Sequence, residues 1–385
     1  MGDSEDLKLL AQLVLRGVLD RAAVESLMRE AQAQKKKPLE LAIAKGHFTR
    51  ERLDFLRRVE CEDVPELPGF DVQRVAGRGG TAIVVEAKEK KSGRTVAIKV
   101  LRRELEGDPK AKAAFLREAK LLIGLKHENV VAGEKVGAFQ GRMVFLQEFV
   151  AGRSLQELLK DGQSFDEDQA LYIVLQVARA LRYLAQNGVV HRDVKPANVL
   201  ITARNEVKLI DLGFASSMGE APAEGGSPSP AAAETTVGTV AYISPEQARG
   251  QTDVDVRSDI YSLGATLYQL VVGELPFTGQ DNQEVLAAQI LASLSSEVLK
   301  SRKISPHMHY FIEKMMAKER EVRYQTPDEL IADIEEQIRG KKTLEFRADG
   351  RDAELKKPFA PHEGFEELPP ERRPIAPIVR RRKPR

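Results

Sequence analysis

A chain of 385 residues has room for two or three domains, and 42% hydrophobic content is enough to bury ordinary globular cores. Lysine plus arginine (59) balance aspartate plus glutamate (58), so a formal net charge of +1 leaves no global field to draw the chain to nucleic acid or an anionic membrane. The single cysteine, Cys61, excludes an internal disulfide framework and fits a reducing compartment. The acidic start Met1-Gly2-Asp3-Ser4-Glu5-Asp6 lacks the basic region of a secretory signal, and Asp6 stands where N-myristoylation needs Ser or Thr. No uncharged apolar run reaches membrane-spanning length, Leu263 to Gly273 coming nearest. These features predict a cytoplasmic protein with no membrane span and no nucleic-acid partner.

Residues 1–65 read as a helical module. A faint repeat relates Leu15-Arg16-Gly17-Val18-Leu19-Asp20-Arg21, leading to Val24 and Leu27, to Ala44-Lys45-Gly46-His47-Phe48-Thr49-Arg50, leading to Leu53 and Leu56. In each copy a glycine ends one helix in a left-handed conformation and Asp20 or Thr49 caps the next. Two readings stand: a module of two related hairpins with a partner of its own, or a helical extension packed on the main domain. Pro65 and Pro68 mark a linker.

From Phe70 the composition turns to strands. Phe70 to Val85 and Thr95 to Leu101 have the β-branched, alternating character of an antiparallel sheet, with Ser92-Gly93 as a turn. Gly77-Arg78-Gly79-Gly80-Thr81-Ala82 falls within a strand-turn-strand, where glycines let backbone N–H groups approach nucleotide phosphates. Lys99 then ends the apolar run Val96-Ala97-Ile98. A partly buried ammonium needs anionic partners, and the candidates are nucleotide phosphates and Glu118. Glu118 lies on a helix that Asp108-Pro109 starts and that runs to about Leu125, with Phe115 and Leu122 on its packed face.

Further helices are expected over Asp168 to Asn187, stopping at Gly188, and over Asp255 to Val271, Asn282 to Leu294, Ser305 to Ala317 and Pro327 to Arg339. Gly219 to Glu234 is a loop by composition. Residues 341–385 form a basic, Pro-rich tail expected to be disordered, ending Arg380-Arg381-Arg382-Lys383-Pro384-Arg385; it is either solvated or a contact for phosphate-bearing partners.

The most telling string is His191-Arg192-Asp193-Val194-Lys195-Pro196-Ala197-Asn198-Val199-Leu200, followed by Asp211-Leu212-Gly213 and by Gly238-Thr239-Val240-Ala241-Tyr242-Ile243-Ser244-Pro245-Glu246. With the glycine turn, Lys99 and Glu118, these motifs resemble the protein-kinase family over residues 70 to 335, and within it the bacterial serine/threonine kinases of the eukaryotic type. The N-terminal module resembles helical domains attached to some bacterial ATPases and kinases.

The resemblance implies an α+β fold of two lobes: a five-stranded antiparallel sheet with the Glu118 helix, then a mainly helical lobe, with ATP in the cleft. It implies that Asp193 orients the substrate hydroxyl and accepts its proton, while Lys195 neutralises charge on the moving phosphoryl group. Asn198 and Asp211 hold Mg²⁺, or Mn²⁺ in its place. Ala76, Gly77, Gly79, Gly80, Val84, Ala97, Lys99, Glu118, Glu148, Val150 and Leu200 line the ATP site, with Gln147 as gatekeeper. Lys195 and Thr239 indicate Ser/Thr hydroxyls of protein substrates, Thr239 in the peptide-binding segment bridging Asp193 and Lys195. Asp259 fixes the catalytic-loop backbone, and Arg323 pairs with Glu246. Arg192 implies control by a phosphothreonine at Thr235 or Thr236, added in trans by self-association.

Three positions depart from the family's pattern: Ala82 for glycine, Leu212 for phenylalanine, and Ala76 for a larger aliphatic residue. None removes a phosphate or metal ligand, and Phe214 is placed to share the space beside Leu212. A non-catalytic scaffold of the same fold is disfavoured because every catalytic position is filled. A small-molecule phosphotransferase is disfavoured because the Gly238 to Glu246 segment is present.

Overall fold

The computed structural model describes residues 9–10, 13–14, 19–34, 36–50, 53, 64–65, 67–139, 141–213, 216–217, 240–294 and 304–348. The chain divides into Met1–Glu336 and Gln337–Arg385, and the elements that build the site lie in the first unit.

Near the N-terminus, helices α1 (Arg21–Gln34) and α2 (Pro38–Ala44) belong to a small core of their own, made by Leu9, Leu10, Leu13, Leu19, Leu27, Ala31, Leu39, Leu41, Ala42, Phe48 and Leu53. The Asp20 carboxylate accepts from the Ala23 N–H at 2.6 Å, as its capping position predicts. Gly46 (φ 77°) ends α2 in the left-handed conformation, while Gly17 falls outside the described residues.

The β lobe is one antiparallel sheet of β1 (Phe70–Arg78), β2 (Ala82–Glu89), β3 (Thr95–Leu101), β4 (Gly133–Phe139) and β5 (Arg142–Glu148), in the order β1-β2-β3-β5-β4. The central strand β3 is buried from Val96 to Leu101 because the sheet covers its edges and side chains pack on both faces. Val85, Ala87, Val96, Ile98 and Val100 form one core there with Val64 and Leu67. Helix α3 (Pro109–Gly124) starts where Asp108 accepts from the Lys110 N–H at 2.8 Å with Pro109 at the first position, and it buries Phe115, Glu118, Ala119 and Leu122.

The helical lobe contains α4 (Leu155–Lys160), α5 (Glu167–Gln186), α6 (Pro245–Ala248), α7 (Val256–Val272), α8 (Asn282–Leu291), α9 (Pro306–Met315) and the start of α10 (Pro327–Ala348). Most of α7 is buried, and it packs against α5 and α9 as the centre of the lobe. Short strands β6 (Gly152–Ser154), β8 (Val199–Thr202) and β9 (Val207–Leu209) form a second antiparallel sheet, and β7 (Val189–Val190) pairs with β10 (Ser216–Ser217). The Leu209 carbonyl accepts from the Val131 N–H at 3.0 Å, and the Leu209 N–H donates to Asn129 at 2.8 Å. These two bonds tie the strand that leads into Asp211 to the segment after α3.

Helix α9 stops at Met315 rather than Ala317, and three further helix ends differ from expectation. Helix α5 begins before Asp168, because Asp166 and Gln169 cap each other reciprocally and leave Asp168 in the first turn. Helix α8 stops at Leu291 rather than Leu294, where Lys318 takes the carbonyls of Ala288 and Gln289. Helix α10 continues past Arg339 to Ala348, so the first eight residues of the expected tail fall in a helix, as the good helix formers among them favour. Residues 349–385 lie outside the described residues.

Candidate active site

Lys99 comes from the buried centre of β3 and Glu118 from the packed face of α3, and the two meet with Nζ 2.7 and 2.8 Å from the carboxylate oxygens. Lys99 also donates to Asp211 Oδ1 at 3.2 Å. Burial opposes its charge, but Asp211 and Glu118 outweigh burial and hold Lys99 above the ordinary lysine range. Glu118 is pushed up to about 7, by burial first, with Lys99 resisting and Asp211 adding to the shift. Two carboxyl groups share this one ammonium.

The catalytic loop from His191 to Asn198 is held from beneath. Asp259, inside α7, accepts from the N–H groups of His191 (2.8 Å) and Arg192 (2.7 Å), the role expected of it. Burial pushes its carboxyl up to about 7 against those two bonds. Arg192 has φ 67°, and Gln247 of α6 donates to its carbonyl at 2.9 Å. Asp193 then projects with its carboxylate 2.8 Å from Lys195 Nζ, while Asn198 Nδ2 donates to its backbone carbonyl (2.8 Å) and to Oδ2 (2.9 Å). Burial raises the Asp193 carboxyl to about 6 although Lys195 pulls the other way.

Asp211 also has φ 66°, and the Gly213 N–H donates to its Oδ1 at 3.1 Å. Burial works against its charge, yet Lys99 holds the Asp211 carboxyl down at about 2. A Cβ on Gly213 would lie 3.0 Å from Asp211 Oδ1, so a side chain there would crowd the carboxylate. Leu212 is buried as the apolar residue beside Asp211; Phe214 lies outside the described residues.

The glycine turn joins β1 to β2. A Cβ on Gly80 would meet nothing within 4 Å, and one on Gly77 or Gly79 would make ordinary contacts, at 3.9 Å to Val84 and 3.4 Å to Ala82. None of the three has positive φ. Neither backbone conformation nor the protein's own packing therefore demands glycine here, whereas close approach of an outside group would. Ala76 and Gly77 lie on β1, Val84 pairs with Lys99 across β2 and β3, and Ala97 pairs with Gln147 on β5. Leu200 sits on β8 opposite Ser154 and Lys208. Glu148 ends β5 with its N–H donating to Ala132 at 2.8 Å, and the Val150 carbonyl accepts from Gly152 at 2.8 Å.

At the far side, Glu246 of α6 receives both Nη groups of Arg323 at 2.7 and 2.8 Å, the pair the family resemblance implies. Thr235, Thr236, Gly238 and Thr239 lie outside the described residues, so the structure places none of them.

The protein kinase domain matches residues 70–333, well over half of the chain. The chain belongs to the protein kinase family. It is 37% identical over 270 residues to a probable serine/threonine-protein kinase of Streptomyces coelicolor, covering 69% of this chain and 39% of that protein. It is 35% identical over 269 residues to the serine/threonine-protein kinase PknB of Mycobacterium tuberculosis, covering 69% and 42%. A probable serine/threonine-protein kinase PknB of Lactococcus lactis is 32% identical over 285 residues, covering 73% and 44%. The chain thus matches less than half the length of these curated relatives, and the similarity to bacterial serine/threonine kinases of the eukaryotic type rests on the kinase domain.

Within this kinase domain, three contacts had no local sequence signal. Arg102, at the end of β3, donates from Nε to the Gly79 carbonyl at 2.9 Å, and its N–H donates to the Thr81 carbonyl at 2.9 Å, so it clasps the glycine turn. Lys208 on β9 pairs with Glu148 at 2.9 Å, linking the end of β5 to the strand before Asp211. Gln247 joins α6 to the catalytic loop. Each joins residues far apart in sequence through a generic polar side chain. Among the described residues no helix is long and apolar enough to cross a membrane.

Proposed function

We propose that the chain is a serine/threonine protein kinase that transfers the γ-phosphoryl group of ATP to hydroxyls of protein substrates. The observation that carries this reading is the joint placement of Lys99 between Glu118 and Asp211, with the Asp193 carboxylate held by Asn198 and Lys195. The donor set fits Mg²⁺ carried on a nucleotide. Among the described residues no group of three or more His, Cys, Asp or Glu gathers to hold a metal alone, while Asn198 turns its amide nitrogen to Asp193 and Asp211 supplies a carboxylate. Hard oxygen donors from one amide and one carboxylate suit Mg²⁺, which keeps waters and phosphate oxygens as its other ligands. When bound, Mg-ATP supplies the electrophilic phosphorus and the leaving oxygen of the nucleoside diphosphate.

The protein's part is positioning and charge. Asp193 orients the incoming hydroxyl and accepts its proton, and a carboxyl raised to about 6 is a better proton acceptor than an exposed aspartate. Lys195, 2.8 Å from that carboxylate, lies where it offsets negative charge on the phosphoryl in transit. Lys99 anchors the phosphates from the sheet side, the glycine turn brings backbone N–H groups to them, and Arg102 holds that turn's carbonyl face away.

Regulation by phosphorylation in trans belongs to the same reading. Arg192 is 4% exposed, and its Nε and one Nη have no partner among the described residues, which suits a guanidinium awaiting a phosphothreonine at Thr235 or Thr236. The N-terminal helices close a core of their own, so a separate partner for that module belongs to the same reading, and a cytoplasmic location fits the composition. The test is transfer of label from ATP radiolabelled on the γ-phosphate to protein, comparing wild type with Asp193→Asn. Labelling that does not depend on Asp193 rejects the reading. Mass spectrometry of active enzyme with both threonines unmodified rejects the regulatory part.

A further inference from the structure

Gln289 lies in the last turn of α8 with no exposed surface, and no kinase motif includes it. Its Nε2 donates to the Ala241 carbonyl at 2.6 Å and reaches that of Val240 at 3.4 Å. Its Oε1 accepts from the Tyr261 hydroxyl at 2.6 Å. Donor and acceptor inventories fix the direction of this relay. The Lys318 ammonium has only donors. It gives them to the carbonyls of Gln289 (2.7 Å) and Ala288 (3.3 Å) and to the Tyr261 oxygen (3.3 Å), over the ring faces of Phe277 (4.1 Å) and Tyr261 (5.7 Å). With its oxygen accepting from Lys318, Tyr261 directs its one proton to Gln289 Oε1, and the Gln289 NH₂ is left facing the two carbonyls.

What those carbonyls belong to gives the relay its meaning. Val240–Tyr242 is a single turn leading into α6, and Val240 and Ala241 are 4% and 2% exposed, so their C=O groups need donors from within the protein. Val240, Ile243 and Ala248 pack against Val285 and Leu286 of α8, and the Tyr242 hydroxyl donates to Gln269 of α7 at 2.5 Å. At its other end α6 holds the catalytic loop, through Gln247 on the carbonyl of Arg192, the residue before Asp193. A buried amide on α8 therefore fixes one end of a segment whose other end is fastened beside the catalytic base.

We propose that Gln289, oriented by Tyr261 and Lys318, is a positioning residue for the protein substrate: it sets the height of the Val240–Ile243 segment relative to Asp193, and so the affinity for the hydroxyl-bearing peptide. This rests on the serine/threonine kinase reading. Gln289→Met keeps the length and apolar stem of the side chain but removes the amide; Tyr261→Phe and Lys318→Met keep the amide and release its orientation.

The assay takes steady-state phosphorylation of a synthetic Ser/Thr peptide chosen by labelling of a peptide library with the full-length wild-type chain, alongside the KM for ATP and thermal melting. For Gln289→Met the peptide KM should rise about tenfold, the scale of a lost hydrogen bond to a buried carbonyl, with the KM for ATP unchanged. Tyr261→Phe and Lys318→Met should raise the peptide KM by a few fold, and Gln289→Met combined with Tyr261→Phe should be no worse than Gln289→Met alone. If Gln289→Met does not fold, the two orienting variants decide. An unchanged peptide KM in them, or equal rises in the KM for ATP and for peptide, overturns the positioning role. A wild-type chain that shows no Asp193-dependent transfer overturns the kinase reading instead, a result read without any Gln289 variant.

Discussion

Arg323→Met tests how the helical lobe is tied to the segment that follows Thr239. Arg323 is 2% exposed and gives its guanidinium to both oxygens of Glu246 and to the carbonyls of Ala317 (2.7 Å), Lys318 (3.0 Å) and Arg257 (3.1 Å). Methionine fills much of the same volume, so the cavity is small. Glu246, 3% exposed, is left with the Ser258 hydroxyl. A buried charge stripped of its partner costs about 3–5 kcal/mol, a large share of a domain stability of about 5–15 kcal/mol. Adding Glu246→Gln removes the charge, and the double variant should regain about 2 kcal/mol, its remaining deficit being neutral hydrogen bonds.

The pH dependence carries the sharper test. In the wild type, burial raises the Glu246 carboxyl, but the hydrogen bonds and charge of Arg323 win and hold it below the ordinary range. A folded-state pKa below the unfolded one contributes stability that is present above the unfolded pKa and lost as pH falls through the folded one. Without Arg323 burial is opposed only by the Ser258 hydroxyl and a backbone N–H, so the folded pKa rises above the unfolded one and the sign reverses: the penalty is full at neutral pH and shrinks on acidification. Urea unfolding followed by circular dichroism at neutral and mildly acidic pH should show the gap between wild type and Arg323→Met narrowing toward acid. A gap below about 1 kcal/mol at neutral pH, or one that does not narrow, refutes this account.

The Asp193 carboxyl, raised to about 6, must be ionised to accept a proton, so phosphotransfer should climb as pH rises through that value and then level off; a flat single-turnover profile across that range removes Asp193 as the base. Arg102→Ala should raise the KM for ATP a few fold with kcat nearly unchanged, because it releases the Gly79 carbonyl without touching Lys99 or Asp193. Equal kcat/KM for variant and wild type would show that the clasp is idle. Gly264→Ala in α7 gains helix propensity of about 1 kcal/mol but drives a Cβ to 2.7 Å from Met315 Cβ and 2.9 Å from Met316 Cγ at the end of α9. Overpacking costs about 1–3 kcal/mol, so a net loss of up to about 2 kcal/mol in chemical denaturation is expected, and a gain contradicts the close approach of α7 and α9.

Much of this was legible in sequence where one residue type answers one physical need. Asp108-Pro109 announces α3, Gly188 (φ 72°) closes the helix before the catalytic loop, and an ammonium in an apolar strand calls for the carboxylate found on Glu118. Asp259 and Arg323 were placed through the family resemblance, and their bonds are present. What escaped was of two kinds. The start of α5 is expected at Asp168 but Asp166 caps it, because two acids close together give the same local signal and only the reciprocal bond with Gln169 separates them. Arg102, Lys208, Gln247 and Gln289 escaped because a polar side chain that bonds a backbone carbonyl or a distant carboxylate is indistinguishable, in one sequence, from a solvated one.

Two strained residues of the candidate site show why those unseen contacts matter. Arg192 and Asp211 hold left-handed φ values of 67° and 66°, a conformation that costs a side-chain-bearing residue about 1–2 kcal/mol and persists only when its surroundings enforce it. Arg192 is enforced from the helical lobe, by Asp259 on its N–H and Gln247 on its carbonyl. Asp211 is enforced from the sheet lobe, by Lys99, which Glu118 in turn holds. Asp193 and Asp211, the proposed base and the proposed metal ligand, are thus each set by one lobe, and Asn198, whose carbonyl accepts from the Ile210 N–H at 2.9 Å while its amide holds Asp193, joins the two settings. Any input that shifts α3, and with it Glu118, frees Asp211 to leave its strained conformation while Asp193 stays in place, so loss of metal binding should precede loss of the catalytic loop.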